Sequence, residues 1–114
     1  MKILANTTTL PPFIQFPKFL MKEDRLTEFE KIVYCLLLDK VRLSMNWNKN
    51  LDENGNVFCI YPIRNIAEDS KKSETTVKNA VNTLKKAGYL KTIRQGLNKP
   101  NKIYVLIPDD VAEN

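Results

Sequence analysis

From Thr27 onward the apolar residues fall at helical spacing: Phe29, Ile32, Val33, Leu36, Leu37 and Val41. Thr27 followed three residues later by Glu30 is a capping-box pattern, which satisfies amides left without partners in a first helical turn. The spacing therefore predicts a helix that starts at Thr27 and frays between Leu43 and Trp47. Tyr34, Cys35 and Leu38 widen its apolar surface beyond one stripe, so it requires cover on most sides. Central burial and contact with a second subunit both supply that cover. Upstream, Pro11, Pro12 and Pro17 exclude a helix interior. Phe13, Ile14, Phe16, Phe19 and Leu20 are too apolar for a solvated tail, so residues 1–20 read as an extended arm, with at most a short strand, packed on the core or on a second subunit.

After a polar, turn-rich stretch from Asn46 to Asn56, the run Val57–Tyr61 predicts a short strand ended by Pro62. Ile63 to Asp69 predicts a short helix with Ile63, Ile66 and Ala67 inward. Ser70, Lys71 and Lys72 make a turn, Ser73 is a good N-cap, and the next helix runs to Ala87 with Gly88 as its left-handed stop. Tyr89–Gln95 and Lys102–Ile107 predict paired strands around a loop, Gly96 to Asn101, with turn chemistry. Helix, tight turn, helix, strand, loop, strand is the order of a winged helix-turn-helix. The predicted class is α+β, with a small antiparallel sheet and an extended N-terminal arm. Residues 1–26 form the arm, 27–108 the winged-helix domain, and 109–114 a short acidic tail or the start of a linker.

The chain's 114 residues suit one domain, and its net charge of +5 matters less than where the charge lies. Residues 64–102 hold ten basic side chains against three acidic ones, a surplus of seven, while the rest holds eight against ten. A cationic unit joined to a faintly acidic remainder points to a polyanion partner. The chain has no histidine and no CxxC, so zinc sites and His-based catalysis lack their usual groups. Cys35 and Cys59 read as reduced core residues. Asp52, Asn54 and Asn56 have the spacing of a calcium loop's start, but Val57 and Ile63 stand where its glycine and final ligand belong. No metal or cofactor is expected, and neither a membrane span nor a signal sequence is found.

The helix after Ser73 carries the candidate chemistry. Val77, Ala80, Val81, Leu84 and Ala87 define its buried stripe; at about 100° per residue, Thr75, Asn79, Asn82 and Lys86 lie opposite. No acid follows Glu74 in this helix, although an ordinary solvated face mixes Glu with Lys. Asn pairs bidentately with adenine, Thr touches thymine methyls or hydrogen-bonds, and Lys reaches guanine or phosphate. Thr75, Thr76, Lys78, Asn79 and Asn82 are the expected base-reading residues. Lys71, Lys72 and Ser73, at the helix start, are expected on phosphate, as is Lys86, although late-helix lysines such as Lys85 and Lys86 also suit the helix dipole. Arg94, Lys99 and Lys102 surround the wing loop, together with Gln95 and Asn101, and are expected along the backbone or in a minor groove.

The chain also resembles a family, the N-terminal domain of RepA-type plasmid replication initiators of Gram-positive bacteria, including those of staphylococcal multiresistance plasmids. The resemblance spans Phe13 to about Leu106 and rests on "FIQFPKFL", "YCLLLDKVRLSMNW", "DENGNVFCIYP" leading into "IRNIAED", and "LKKAGYLKTIRQGLNKPNKIYVL". It implies a winged helix that binds repeated double-stranded sites in a plasmid origin, a homodimer, and a cytoplasmic, plasmid-associated protein. It implies too that host replication proteins are engaged by a C-terminal domain without counterpart here, so that the chain reads as a truncated portion or an isolated DNA-binding unit. Two features depart from the family pattern: in the turn, Ser70 and Lys71 stand where relatives carry an apolar residue and a glycine, and in the wing Asn98 stands where relatives often have glycine.

Two other readings remain open from residues alone. A transcriptional regulator would dock in the same way, and a winged helix serving as a protein-interaction module would show a neutral or apolar outer face. Enzymatic activity is not expected, for want of histidine, a glycine-rich phosphate loop or a metal cluster.

Overall fold

The computed structural model describes residues 1–111. Its elements are α1 (Glu28–Asn46), α2 (Ile63–Ser70), α3 (Glu74–Lys86), β1 (Leu90–Ile93) and β2 (Lys102–Val105), with 3-10 turns at Lys18–Lys22 and Asp109–Val111. α1 begins as its sequence requires: Thr27 accepts from the Glu30 amide, and Glu30 accepts from the Thr27 amide at 2.8 Å. Ser73 likewise caps α3 by accepting from the Thr76 amide.

The three helices stop in the same way. At each C-terminus one residue turns left-handed, and two amides reach back to carbonyls of the last turn. After α3 that residue is Gly88, with Tyr89 N–H on Leu84 at 3.0 Å and Gly88 N–H on Lys85 at 3.1 Å. After α1 it is Asn48, with Lys49 N–H on Ser44 at 2.8 Å. After α2 it is Lys71, at φ 57° and ψ 41°, with Lys72 N–H on Ala67 at 3.0 Å. The turn thus closes without glycine, and Lys71 bears the strain of a Cβ in the left-handed region.

α1, α2 and α3 pack around a core that includes Leu20, Leu26, Val33, Tyr34, Leu37, Ile66, Val77, Leu84, Tyr89 and Ile103. β1 and β2 pair antiparallel with Leu90 opposite Val105 and Ile93 opposite Lys102. Both strands are shorter than expected. Beyond Ile93 the Gln95 carboxamide donates to the Pro100 carbonyl at 2.8 Å and Gly96 turns at φ 136°, so the loop claims residues that the pattern gave to strand. The expected strand Val57–Tyr61 is not formed either. One rung joins it to the sheet, Cys59 with Ile103, through bonds of 2.8 and 2.9 Å. Phe58 N–H turns instead to Asn50, and Pro62 has no N–H to continue the ladder.

The arm also differs from the extended segment expected through Leu20. Pro17, at φ −61°, leads into the 3-10 turn Lys18–Lys22, which carries Leu20 fully into the core. Earlier arm residues Leu10, Phe13, Ile14 and Phe16 remain exposed on this single chain. Of the acidic tail, Asp109–Val111 forms the short turn, and residues 112–114 lie outside the described residues.

The 3-10 turn is tied down by aromatic rings. Phe19, Tyr34 and Tyr89 meet pairwise, with centroids 5.4 to 6.0 Å apart. Tyr89 donates its hydroxyl to Glu23 at 2.6 Å, and Tyr34 donates to the Leu106 carbonyl at 2.8 Å. One knot thereby joins the arm, α1, the end of α3 and the sheet. Hydrogen bonds from the Arg25 guanidinium, then from the Tyr89 hydroxyl, hold the Glu23 carboxyl down at about 2, against an ordinary 4.5.

Two outcomes are expected. Lys71→Gly relieves a left-handed Cβ worth about 1–2 kcal/mol and adds roughly 0.5–1 kcal/mol of unfolded-state entropy, so chemical denaturation should show a net gain between about 0 and 1.5 kcal/mol. Because folding depresses the Glu23 pKa, its contribution is complete above pH 4.5 and disappears as pH falls toward 2. Stability curves of the native chain and Glu23→Gln should therefore converge across that interval on acidification.

Candidate nucleic-acid interface

α3 presents two faces set by its apolar spacing. Val77, Ala80, Val81 and Leu84 are buried, between 0 and 7% exposed. Thr75, Asn79, Asn82 and Lys86 form an exposed row on the opposite side, as the periodicity requires. Thr76 and Lys78, also exposed, stand on opposite flanks of that row. The Thr76 hydroxyl accepts from Ser73 Oγ at 2.8 Å, which draws it into the cap at the helix start. Thr83 donates to the Asn79 carbonyl at 3.1 Å and is half-buried, so it belongs to the helix more than to the surface.

Lys71, Lys72 and Ser73 are exposed at the corner between α2 and α3. Lys72 Nζ lies 5.8 Å from the Phe29 ring centroid. In the wing, Arg94, Gln95, Lys99 and Asn101 are exposed, and Asn98 adopts φ 62°, the conformation for which asparagine substitutes best for glycine. Lys102 stands apart from the rest. It is half-buried, with Nζ 4.7 Å over the Phe58 ring, on the sheet face where Tyr104 donates to Asp52 at 2.9 Å. The Asp52 carboxyl lies below its ordinary range because it accepts from the Asn56 amide, the Tyr104 hydroxyl and the Asn54 amide. Asp52 is thereby occupied in bracing its own loop.

The electrostatics of the surface are one-sided. Among the described residues the ion pairs are Arg25–Glu23 and Arg42–Asp39. None of the ten cations between 64 and 102 takes part in either, although Lys102 stands near enough to the Asp52 carboxylate to help hold it ionised. Two features escaped the sequence pattern. A cleft of about 320 Å³ separates α3 from the wing, with Lys78, Asn82 and Lys85 on one wall and Thr92, Pro100 and Asn101 on the other. Tyr61, Pro62 and Ile63, at the start of α2, close a third side. The wing tip also carries Leu97, 82% exposed. Nothing in the periodicity of α3 announces which of its flanks faces the wing.

Cys35 and Cys59 are free and buried, and burial pushes both thiols up, Cys59 to about 11. Among the described residues no group of three or more Cys, Asp or Glu is placed to hold a metal, and no helix is long and apolar enough to cross a membrane.

A helix-turn-helix whose second helix shows an exposed face with no acid after Glu74, and a basic wing beside it, defines the class of winged-helix DNA-binding domains. The chain belongs to the family described as the replication initiator protein A (RepA) N-terminus, whose profile matches residues 12–110. Solved structures agree. One described as "Structure of Rep-DNA complex" shares 31% identity at TM-score 0.72, covering 90% of this chain and 79% of that one. Another, "N-Terminal domain of DNA binding protein", shares 31% identity at TM-score 0.71, covering 85% and 76%. A third, "Structure of MDR initiator", shares 25% identity at TM-score 0.69, covering 85% and 78%. No curated protein matches the chain.

For the outward row, Asn79→Ala should cost about 1–3 kcal/mol of binding to a preferred duplex and broaden base choice at one position. Competition binding with single-base variants of that duplex checks it, and unchanged base preference would remove Asn79 from the readers.

Proposed function

We propose that this domain binds double-stranded DNA sequence-specifically at repeated sites in a plasmid replication origin and so initiates plasmid replication. The observation that carries the reading is the exposed row Thr75, Asn79 and Asn82 beside a wing whose cations have no ion-pair partner among the described residues. Family membership and the Rep-DNA neighbour support the same conclusion. In this reading Thr75, Asn79 and Asn82 read base edges, with Thr76 and Lys78 beside them. Lys71, Lys72, Ser73 and Lys86 meet phosphate near the two ends of α3. Arg94, Lys99 and Lys102 supply the wing's positive potential, with Lys102 the most withdrawn of the three.

The domain acts as a binding module rather than an enzyme, and requires no cofactor. A homodimer is supported by Phe13, Ile14 and Phe16 of the arm and Ile32 and Leu43 of α1, each at least 41% exposed on the single chain. Host replication proteins are engaged through a further domain, in the cytoplasm, on the plasmid.

Selection from a random duplex pool at fixed salt tests the function. Tandem repeats are the expected product, whereas an isolated palindrome would favour transcriptional control and no enrichment would favour a protein-interaction module. On the selected duplex, Lys72→Ala or Lys99→Ala should weaken good and poor sites alike and flatten the log–log salt slope by about one unit. A slope equal to that of the native chain would take the residue off the phosphate list.

A further inference from the structure

We infer that the groove around Trp47, where α1 ends, binds single-stranded DNA. The indole stacks on an unpaired base, and Lys40 and Lys49 meet the flanking phosphates. The site lies outside α3 and the wing, and its biological use rests on the origin reading above.

Trp47 is the single tryptophan of the chain, and it is 71% exposed. Every other ring from Phe19 onward meets another ring or a cationic side chain. Trp47 has neither kind of partner among the described residues. Its backbone is nonetheless firmly held. Asn48 and Asn50 turn left-handed on either side of Lys49, at φ 52° and 54°. The amides of Trp47, Asn48 and Lys49 donate to the Leu43, Met45 and Ser44 carbonyls at 3.1, 3.2 and 2.8 Å. The Asn50 carboxamide donates to the Ser44 hydroxyl at 3.2 Å, and its carbonyl accepts from the Phe58 amide at 3.0 Å. A platform built in this way loses little freedom when a ligand covers it.

The groove beside the ring holds about 290 Å³. Lys40 and Lys49 line it with Leu43, Asn50 and Ile60, and no carboxylate among the described residues does. Asp39, next to Lys40 in the chain, pairs with Arg42 at 2.9 Å. Asp52 is taken up by Tyr104 and by its own loop. A lysine just past a helix also suits the helix dipole. That account is weak for Lys49, because the last carbonyls of α1 named above already accept backbone amides. Lys40 is exposed, with Nζ 5.0 Å over the Tyr61 ring, and forms no ion pair among the described residues.

An aromatic plane flanked by ammonium groups suits a flat π-face carried on a polyanionic chain. The bases of a duplex spend their faces on one another, whereas an unpaired strand offers them. Opening an origin produces such strands beside the bound protein. A wholly apolar partner would instead strip water from two ammonium groups and leave them unpaired.

The test uses the 114-residue chain and an oligothymidylate of about twelve nucleotides, within the span of such sites. Because Trp47 is the sole tryptophan, its emission reports the groove directly. The oligonucleotide should quench that emission to saturation, and added salt should reverse the change. By anisotropy of a labelled oligothymidylate, Trp47→Ala should weaken binding about tenfold, the loss of one stacked base, and Trp47→Phe should recover part of it. Lys40→Gln and Lys49→Gln should each flatten the salt slope. The duplex recovered by random selection should bind Trp47→Ala as it binds the native chain. Oligonucleotide binding with tryptophan emission unchanged would place the strand elsewhere and overturn the inference. Equal affinity in Trp47→Ala would overturn it, as would a larger emission response to phosphatidylglycerol vesicles than to the oligonucleotide. Emission that shifts when the protein alone is diluted would give the ring to a second copy of the chain, with the same consequence. If duplex selection fails while the oligonucleotide still quenches Trp47, the origin reading falls and the groove stands.

Discussion

Val77 and Leu84 on α3 are wholly withdrawn from solvent, and their burial fixes the rotation of that helix about its own axis. Each is worth about 1.5–3 kcal/mol on removal from water. Turning α3 far enough to bury Thr75 or Asn79 would expose both and leave amide or hydroxyl groups unpaired inside. The outward row, the wing-side flank and the capped start are consequences of that one orientation. α1 and α2 supply the surfaces against which the stripe packs, and the Phe19–Tyr34–Tyr89 knot pins the far end of α3 where it enters the sheet.

Charge is arranged around this scaffold without being needed by it. The two ion pairs among the described residues lie in the arm and in α1, and neither draws on a cation of residues 64–102. Lys71 makes the separation clearest. Glycine would occupy its left-handed site with less strain, yet a cation stands there, exposed at the corner where α3 begins. The phosphate contact proposed for Lys71 gives a cation at that corner a use that glycine would lack. Lys102 is the counterexample, because its ammonium lies over Phe58 and its position serves the sheet as much as any ligand.

Much of the architecture was legible because it depends on short-range rules. The Thr27–Glu30 box, the Ser73 cap, the Gly88 stop and the period of α3 each involve residues within a turn or two of one another. The misreadings have a common origin in partners distant along the chain. Val57–Tyr61 has strand composition, but Cys59 alone finds a rung on Ile103, 44 residues away, and Pro62 cuts the ladder. Residues 18–22 look as extended as the rest of the arm until Leu20 finds its place in a core built by α1 and Tyr89.

By itself, the sequence determined the class of fold, the buried and outward faces of α3, and the cationic character of residues 64–102. Local hydrogen bonding, helical periodicity and formal charge suffice for these. Tertiary structure alone decided that Lys78 and Lys85 face the wing, that Lys102 turns toward Phe58, and that the start of α2 opens beside Asn101. Those are relations between separate segments, fixed only when the helices close on a shared core and the two strands pair.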